Sequence, residues 1–468
     1  MKCTDQELSR LLCEHGQSHV LRFWDTLEPG EQASLAQQVR SLDLDLIDRL
    51  YRARAEVADR GELVDRISVP SAFRWGHGDE RISAETARSV GQAALRAGTV
   101  GVVVVAGGQG TRLGFPHPKG KYPIGPVSQA TLFQILIEKV RAVSARYEVS
   151  LPIYLMTSPA THEETASFME QQQWYGLAPS DLRVFCQGVM PAVDANTGQV
   201  VLASRSAIAL SPDGHGGMLA ALDQNGILAE MRQRGIEFLF YVQIDNPLVP
   251  IADAEIIGYH LLSESDATSL VIRKRDAHEK VGNVVRVDGK LEVIEYSDLP
   301  NQLAELHNTD GSLKLWAGSI AVHVFSGAFL EYVASGQAEL PFHYAHKQVP
   351  FVDAHGQVVE PSSANAIKFE RFIFDLLPIA RRAVIVEVDR QSVFAPVKNA
   401  PGAAHDSPDT VKQQMSDVYR SWLQAAGCPV ADGAIVEISP LFANNATELK
   451  SKLTPGFEVT GDTYLYLS

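Results

Sequence analysis

Thr99-Val100-Gly101-Val102-Val103-Val104-Val105-Ala106 runs directly into Gly107-Gly108-Gln109-Gly110-Thr111-Arg112-Leu113-Gly114, with Pro118-Lys119 shortly after. The first half is a β-branched run with a single glycine, the pattern of a strand buried on both faces of a parallel sheet. The second half is a glycine-rich loop. Without Cβ atoms in the way, its backbone N–H groups can turn inward and build a concave anion site at the strand's carboxyl end, where α/β domains hold their ligands. A triphosphate suits such a site, and Arg112 and Lys119 bring two cations to it.

Two other glycine motifs fail on particular residues. A dinucleotide fingerprint needs G-x-G-x-x-G, but after Gly108 and Gly110 the third glycine position holds Leu113. A P-loop ends in Gly-Lys-Ser/Thr, whereas Gly120-Lys121-Tyr122 offers magnesium no hydroxyl and Pro116 and Pro118 remove N–H donors from the cradle. A plain tight turn is the bland alternative, and the two cations weigh against it.

Outward from the loop, the pattern predicts further strands at 152–157, 183–187, 238–244, 268–273, 282–287, 320–325 and 383–388, with helices at 131–143 and 161–172 among them. This alternation predicts a right-handed, doubly wound α/β domain with a mixed, mainly parallel sheet. Residues up to 97 read as helices. Thr4 and Glu7 fit a capping box, a second helix starts near Pro29, a third spans 46–55, and a fourth spans 83–97 before Gly98. After a Pro/Gly-containing connection at 401–409, a helix is expected at 410–426. Strands at 434–438, 456–459 and 464–467 follow, too few to enclose a core of their own, so they should pack on a neighbour. The expected division is a helical region 1–97, a catalytic domain 98–400 and a small helix-plus-β domain 401–468.

Composition narrows the function classes. With 45% apolar and 21% charged residues in 468, the chain reads as a soluble globular enzyme. Its 56 acidic against 41 basic residues leave a net charge of −15, and no run of Lys or Arg provides the footprint of a polymeric nucleic-acid binder. Cys3, Cys13, Cys186 and Cys428 are scattered, against a zinc site or a disulfide framework. No apolar run approaches the roughly 18 residues of a membrane span, and Met1–Glu7 lacks a signal segment, so the expectation is a cytoplasmic protein without a membrane partner.

At the glycine loop the sequence resembles the eukaryotic-type UDP-sugar pyrophosphorylases, most closely the UDP-N-acetylglucosamine pyrophosphorylases, whose signature is Gly-Gly-x-Gly-Thr-Arg-Leu-Gly followed by Pro-Lys. Thr131-Leu132-Phe133-Gln134, Met156-Thr157-Ser158, Gln187-Gly188, Pro212-Asp213-Gly214 with Gly216-Gly217, Asp245-Asn246, Glu295-Tyr296-Ser297, Phe374-Asp375 and Lys398-Asn399-Ala400 continue the resemblance in the family's order. It implies a fold of the nucleotidyltransferase type and a reversible, magnesium-dependent attack of a hexose 1-phosphate oxygen on the α-phosphate of UTP. The products are pyrophosphate and a UDP-sugar, and no covalent enzyme intermediate is implied. Such chemistry rests on positioning and on well-placed cations. A non-catalytic nucleotide-sugar sensor is the competing class, but Lys119, Asp245 and Lys398, whose loss would favour it, are all present.

The resemblance also implies roles. Ala106, Gly107, Gly108, Gly110 and Thr111 would line the nucleotide, with Gly214. Lys119 would stabilise charge on the α-phosphate, Arg112 would reach the departing pyrophosphate, and Lys398 would hold the sugar phosphate. Gln187 has an amide whose donor and acceptor match the adjacent carbonyl and N–H of uracil, the alternative being a turn glutamine. Asp245 follows an apolar strand and is a hard-oxygen ligand for Mg2+, the alternative being a helix N-cap before Pro247. Glu295 and Gly282 would meet sugar hydroxyls, and Phe372 and Phe374 would wall the sugar unless they are core packing. His343 and His346 have no partners suggested by spacing and read as structural.

Two positions depart from the N-acetylglucosamine branch, which has Asn after its Asp-Gly pair and Asn after a later Ala-Gly pair. Here those positions hold His215 and Ser319. Serine has no amide to offer an N-acetyl group, so N-acetylglucosamine 1-phosphate, glucose 1-phosphate and a broad set of hexose 1-phosphates all stay open.

Overall fold

A computed structural model describes residues 3–54 and 66–467, and the side chains of residues 3–5 are not among those described. The chain folds into two compact units. The larger takes residues 66–186, 219–339 and 376–467 of those described, and the smaller takes 3–54, 187–218 and 340–375.

The larger unit is built on an eleven-stranded mixed sheet. In chain order its strands are β1 (Ile67–Ser68), β2 (Ala72–Arg74), β3 (Val100–Val105), β4 (Ile153–Thr157), β5 (Leu182–Cys186), β6 (Phe238–Gln243), β7 (Ala267–Arg273), β8 (Gly282–Val287), β9 (Lys290–Ile294), β10 (Ala317–Ser326) and β11 (Ala383–Glu387). The main path runs β2-β11-β7-β10-β6-β3-β4-β5, with β8 joining β10 and carrying β9 and β1. β6, β3, β4 and β5 are mutually parallel, while β10 is antiparallel to both of its path neighbours. Val100–Val104 are all buried, as expected for a central strand covered on both faces.

Each strand predicted for the sheet is present to within a few residues. The sequence reading lacks β1 and β2, because strands of two and three residues carry no readable alternation, and it also lacks the five-residue β9, which pairs with β8. Helix α1 (Ala84–Arg96) starts at Ser83, whose hydroxyl accepts from the Thr86 N–H, and Gly98 follows its end with φ +70°. Helix α2 (Leu132–Tyr147) is capped by Thr131, and the chain-terminal helix (Pro408–Ala425) by Ser407.

α1 lies against the helix Ala254–Leu262 at glycines. A Cβ on Gly91 would sit 1.7 Å from the Ala254 carbonyl oxygen, and one on Gly258 would sit 1.7 Å from that of Ala87. No side chain larger than hydrogen fits at either position.

The smaller unit packs the helices Cys3–Glu14, Pro29–Ser41 and Leu44–Ala53 on short antiparallel ladders, among them His343–Lys347 with Ala366–Glu370. Leu8, Leu12, Leu35, Val39 and Ile47 share one core with Val193, Leu202, Ile367 and Phe369. Buried Gln17 ties the two parts together, its amide donating to the Gly198 carbonyl and accepting from the Val200 N–H. The Thr4 side chain and Ala55, named in the sequence reading, lie outside the described residues.

Neither expected boundary, 97/98 or 400/401, coincides with an edge of a unit. The smaller unit is assembled from three distant stretches, which no local change of composition marks. Val411, Met415, Val436 and Ile438 of the C-terminal stretch share a core with Val102 and Phe133. Its strands Val436–Ile438 and Thr463–Leu465 pair in parallel, and the third expected strand is reduced to a bridge between Val430 and Val459. Among the described residues no helix is long and apolar enough to cross a membrane.

The glycine crossing yields a stability test. Gly258→Ala drives a methyl group into backbone and should cost at least about 1–3 kcal/mol in urea unfolding. Gly30→Ala, exposed in a helix with nothing within 4 Å of the new Cβ, should be neutral or slightly stabilising. Equal effects of the two changes would contradict the crossing.

Candidate functional site

The parallel pairing of β3 with β6, in the register Val105↔Gln243, sets their carboxyl ends side by side. The glycine loop leaves β3 and Asp245 leaves β6. The loop is shaped by its own backbone: the Gly110 N–H donates to the His117 carbonyl at 2.8 Å and the Lys119 N–H to the Gly108 carbonyl at 3.0 Å. The Ser158 hydroxyl donates to the Gly107 carbonyl at 2.7 Å. A Cβ on Gly110 would sit 2.7 Å from the Phe115 carbonyl oxygen, so this glycine is needed for fit. Gly108 is open, with nothing within 4 Å of a new Cβ. Among the described residues, the N–H groups of Gly108, Gln109, Thr111 and Arg112 meet no protein acceptor, which is the donor set an anion requires.

Lys119 opens a short 3-10 turn, Lys119–Lys121, which places its Nζ 3.7 Å from Asp245 Oδ2. Both side chains are mostly covered, at 19% and 13% exposure, so Lys119 is not a solvated surface lysine. Arg112 is exposed and, among the described residues, forms no ion pair. The Val397 N–H donates to the Asp245 carbonyl at 2.9 Å, which brings the Lys398 segment alongside. The Lys398 backbone is held in turn by the Asp406 carbonyl.

Two residues brace Asp245: Asn246, which the sequence reading names only as Asp245's neighbour in a motif block, and Lys139, which it does not name. Buried Asn246 donates to the Val393 carbonyl at 2.8 Å and accepts from the Ala395 N–H at 3.1 Å, fastening the segment that leads to Lys398. Lys139, on the buried side of α2, donates to the Pro247 and Val249 carbonyls at 2.6 and 2.9 Å, and burial pulls its ammonium down to about 7. A lysine amid the apolar residues of a helix was the available signal.

A second cluster of the larger unit gathers three sugar candidates. Gly282 and Ser319 are partners across β8 and β10, and a Cβ on Gly282 would lie 3.6 Å from Glu295 Oε1 and 3.8 Å from the Ser319 Cβ. The Ser319 hydroxyl accepts from the Ala321 N–H at 3.3 Å, where β10 bulges against β7 and Ala321 takes φ +53°.

The smaller unit gathers the rest. Gln187 is buried at 9% exposure. Gly214 takes φ +86°, and a Cβ there would strike the Arg371 carbonyl oxygen at 2.3 Å. His215 stacks on Phe372 with ring centroids 5.2 Å apart and meets Phe374 at 5.7 Å. Its Nδ1 accepts from the Ile373 N–H at 3.0 Å, so the ring proton sits on Nε2, and burial pushes the imidazolium down to about 4. Phe374 is buried. His343 stacks near Phe372 at 4.4 Å and bonds Asp375 Oδ2 at 2.7 Å, a partnership that spacing did not reveal.

A model of the family described as UTP–glucose-1-phosphate uridylyltransferase matches residues 72–420. The UDP-N-acetylhexosamine pyrophosphorylase-like protein 1 of Xenopus tropicalis is 36% identical, over 94% of this chain and 92% of that protein. The UDP-N-acetylglucosamine pyrophosphorylase of Saccharomyces cerevisiae is 33% identical, over 96% and 98%. The solved structure of the uridine diphosphate N-acetylglucosamine pyrophosphorylase from Trypanosoma brucei superposes with a TM-score of 0.83 at 26% identity, covering 99% of both chains.

Proposed function

This chain belongs to the UTP–glucose-1-phosphate uridylyltransferase family, nucleotidyltransferase enzymes, and from that premise we propose that it joins UTP to N-acetylglucosamine 1-phosphate, releasing pyrophosphate. The observation that carries this reading is the set of free loop N–H groups together with Lys119 at 3.7 Å from Asp245. The loop, with Ala106, would cradle the triphosphate, Gln187 and Gly214 would read uracil, and Gly282, Glu295, Ser319, His215, Phe372 and Phe374 would contact the sugar. Cytoplasmic residence goes with these substrates.

In the proposed step an oxygen of the sugar phosphate forms a bond to the α-phosphorus while the bond from that phosphorus to the α–β bridging oxygen breaks. Pyrophosphate leaves with the electron pair, and no side chain is acylated or phosphorylated. Lys119 would hold the α-phosphate, Arg112 the departing pyrophosphate and Lys398 the incoming phosphate, so each cation meets charge that the transition state redistributes. Asp245 suits Mg2+. The ion would take this one carboxylate and complete its shell with phosphate oxygens and water. When bound, it would neutralise phosphate charge.

Ser319 supports a second reading, glucose 1-phosphate or a broad hexose set, because it cannot offer an amide to the N-acetyl group. Pyrophosphate release from UTP, magnesium and a panel of hexose 1-phosphates separates the readings. N-acetylglucosamine 1-phosphate should react, and glucose 1-phosphate should react more weakly. A hydrogen bond contributes about 0.5–1.5 kcal/mol, so Ser319→Asn should move the kcat/KM ratio toward the N-acetyl sugar by about two- to twelvefold. Use of glucose 1-phosphate alone would hand the assignment to the second reading. In the same assay Lys119→Ala should lower kcat more than tenfold, above about 1.4 kcal/mol of transition-state stabilisation, while UTP still binds. A variant retaining a tenth or more of kcat would remove Lys119 from the centre of the chemistry.

A further inference from the structure

Asp213 is a buried carboxylate to which no catalytic or substrate role has been given. Its exposure is 7%, and among the described residues its Oδ1 has no hydrogen-bond partner. It sits between two glycines: a Cβ on Gly217 would lie 2.1 Å from Oδ1, and one on Gly188 would lie 3.0 Å from Oδ2. Its backbone is the knot of the smaller unit. The Asp213 N–H donates to the Gly188 carbonyl at 3.2 Å, the Arg371 N–H donates to the Asp213 carbonyl at 2.7 Å, and the Gly216 N–H donates to the Arg371 carbonyl at 2.8 Å. Three segments meet there: Gln187–Gly188, Gly214–Gly217 and the stretch after Arg371 that carries Phe372.

We propose that Asp213 is a positioning residue for uridine recognition: its ionised carboxylate, held between Gly188 and Gly217 and opposed by Arg371, sets the spacing of the Gln187 and Gly214 segments. The inference rests on the reading of this chain as a uridylyltransferase. Arg371 draws the carboxyl toward its ionised form, as does a hydrogen bond from its own backbone. His215, on the same turn, is held neutral by burial, and beyond it His343 is bonded to Asp375.

Burial dominates and lifts the Asp213 carboxyl to about 6. The folded value therefore exceeds the unfolded value of 3.8, so the fold favours the protonated acid. The resulting penalty is absent below about pH 4, grows between about 4 and 6, and is complete above that. An asparagine of the same shape would escape it. A charge that burdens the fold beside the candidate base-reading residues suits a functional role, and the glycines and backbone bonds that hold it place it there.

The test is calorimetric binding of UDP-N-acetylglucosamine between about pH 5 and 8, a range in which its diphosphate diester holds no proton, with thermal melts alongside. In the wild type the Kd should loosen by about tenfold as pH falls through the Asp213 transition. Asp213→Asn should bind weakly with a flat pH profile, yet melt higher than the wild type at pH 8, with the difference closing near pH 4. Opposite signs in binding and stability are what a purely structural role would not produce. Should Asp213→Asn not fold, Asp213→Ser carries the same binding expectation. A variant that binds as tightly as the wild type at pH 8, or a wild-type Kd that does not change with pH, overturns the proposal. If no hexose 1-phosphate releases pyrophosphate from UTP, the uridylyltransferase reading itself falls. If transfer proceeds and only the pH profile is flat, the Asp213 assignment alone falls.

Discussion

The parallel ladder between Val100–Val105 and Phe238–Gln243 is the constraint on which the proposed chemistry depends. Parallel neighbours end on the same edge of a sheet, so a loop leaving one strand and a carboxylate leaving the other must meet. Here the loop is rich in glycine, and the 3-10 turn that closes it returns Lys119 to within 3.7 Å of Asp245. An ammonium and a carboxylate at that distance, both mostly withdrawn from water, attract each other more strongly than they would at the surface. Each also suits what a nucleoside triphosphate brings, since the lysine complements phosphate oxygens and the carboxylate complements their cation. Asn246 and Lys139 tie the turn after Asp245 to its surroundings, one through the Val393 and Ala395 backbone and the other through two carbonyls.

Much of the larger unit is legible in the sequence because its strands are continuous apolar runs and its helices announce their caps. Ser83 and Thr131 each stand at a predicted helix start and each accept from the N–H three residues on, whereas Ser407 caps a helix that begins two residues before the expected 410. The helices that start at Pro29 and Leu44 in the smaller unit are legible, but its assembly is not. Val193, Leu202, Ile367 and Phe369 form one core with the first three helices, although a hundred or more residues separate the stretches, and a composition scan has no access to such long-range packing. The two-residue strand at Ile67–Ser68 is invisible for a simpler reason: it has no room for a period of two.

The candidate site divides the same way. The glycine loop, Asp245 and Gln187 stand out because each follows the end of a strand, and Lys119 because it closes that loop with a cation. Asn246, Lys139, Asp213 and His343 do not, because their importance lies in partners that only the fold supplies. His215 illustrates the boundary. Its identity as a departure from the N-acetylglucosamine branch is plain from the sequence, whereas its tautomer, with Nδ1 accepting from Ile373 and Nε2 left as the donor, requires the backbone of a segment more than 150 residues away. A histidine donor at that position and a serine at 319 are the two features that set the sugar question for this chain.

The central claim is a direct transfer governed by positioning and charge, with no covalent enzyme intermediate. The stereochemical course at phosphorus tests it most directly, using UTP that carries sulfur on the α-phosphorus as a single diastereomer. One in-line displacement predicts a UDP-sugar with inverted configuration at that phosphorus. Retention would require two displacements through an enzyme-bound nucleotidyl group, and would contradict the account.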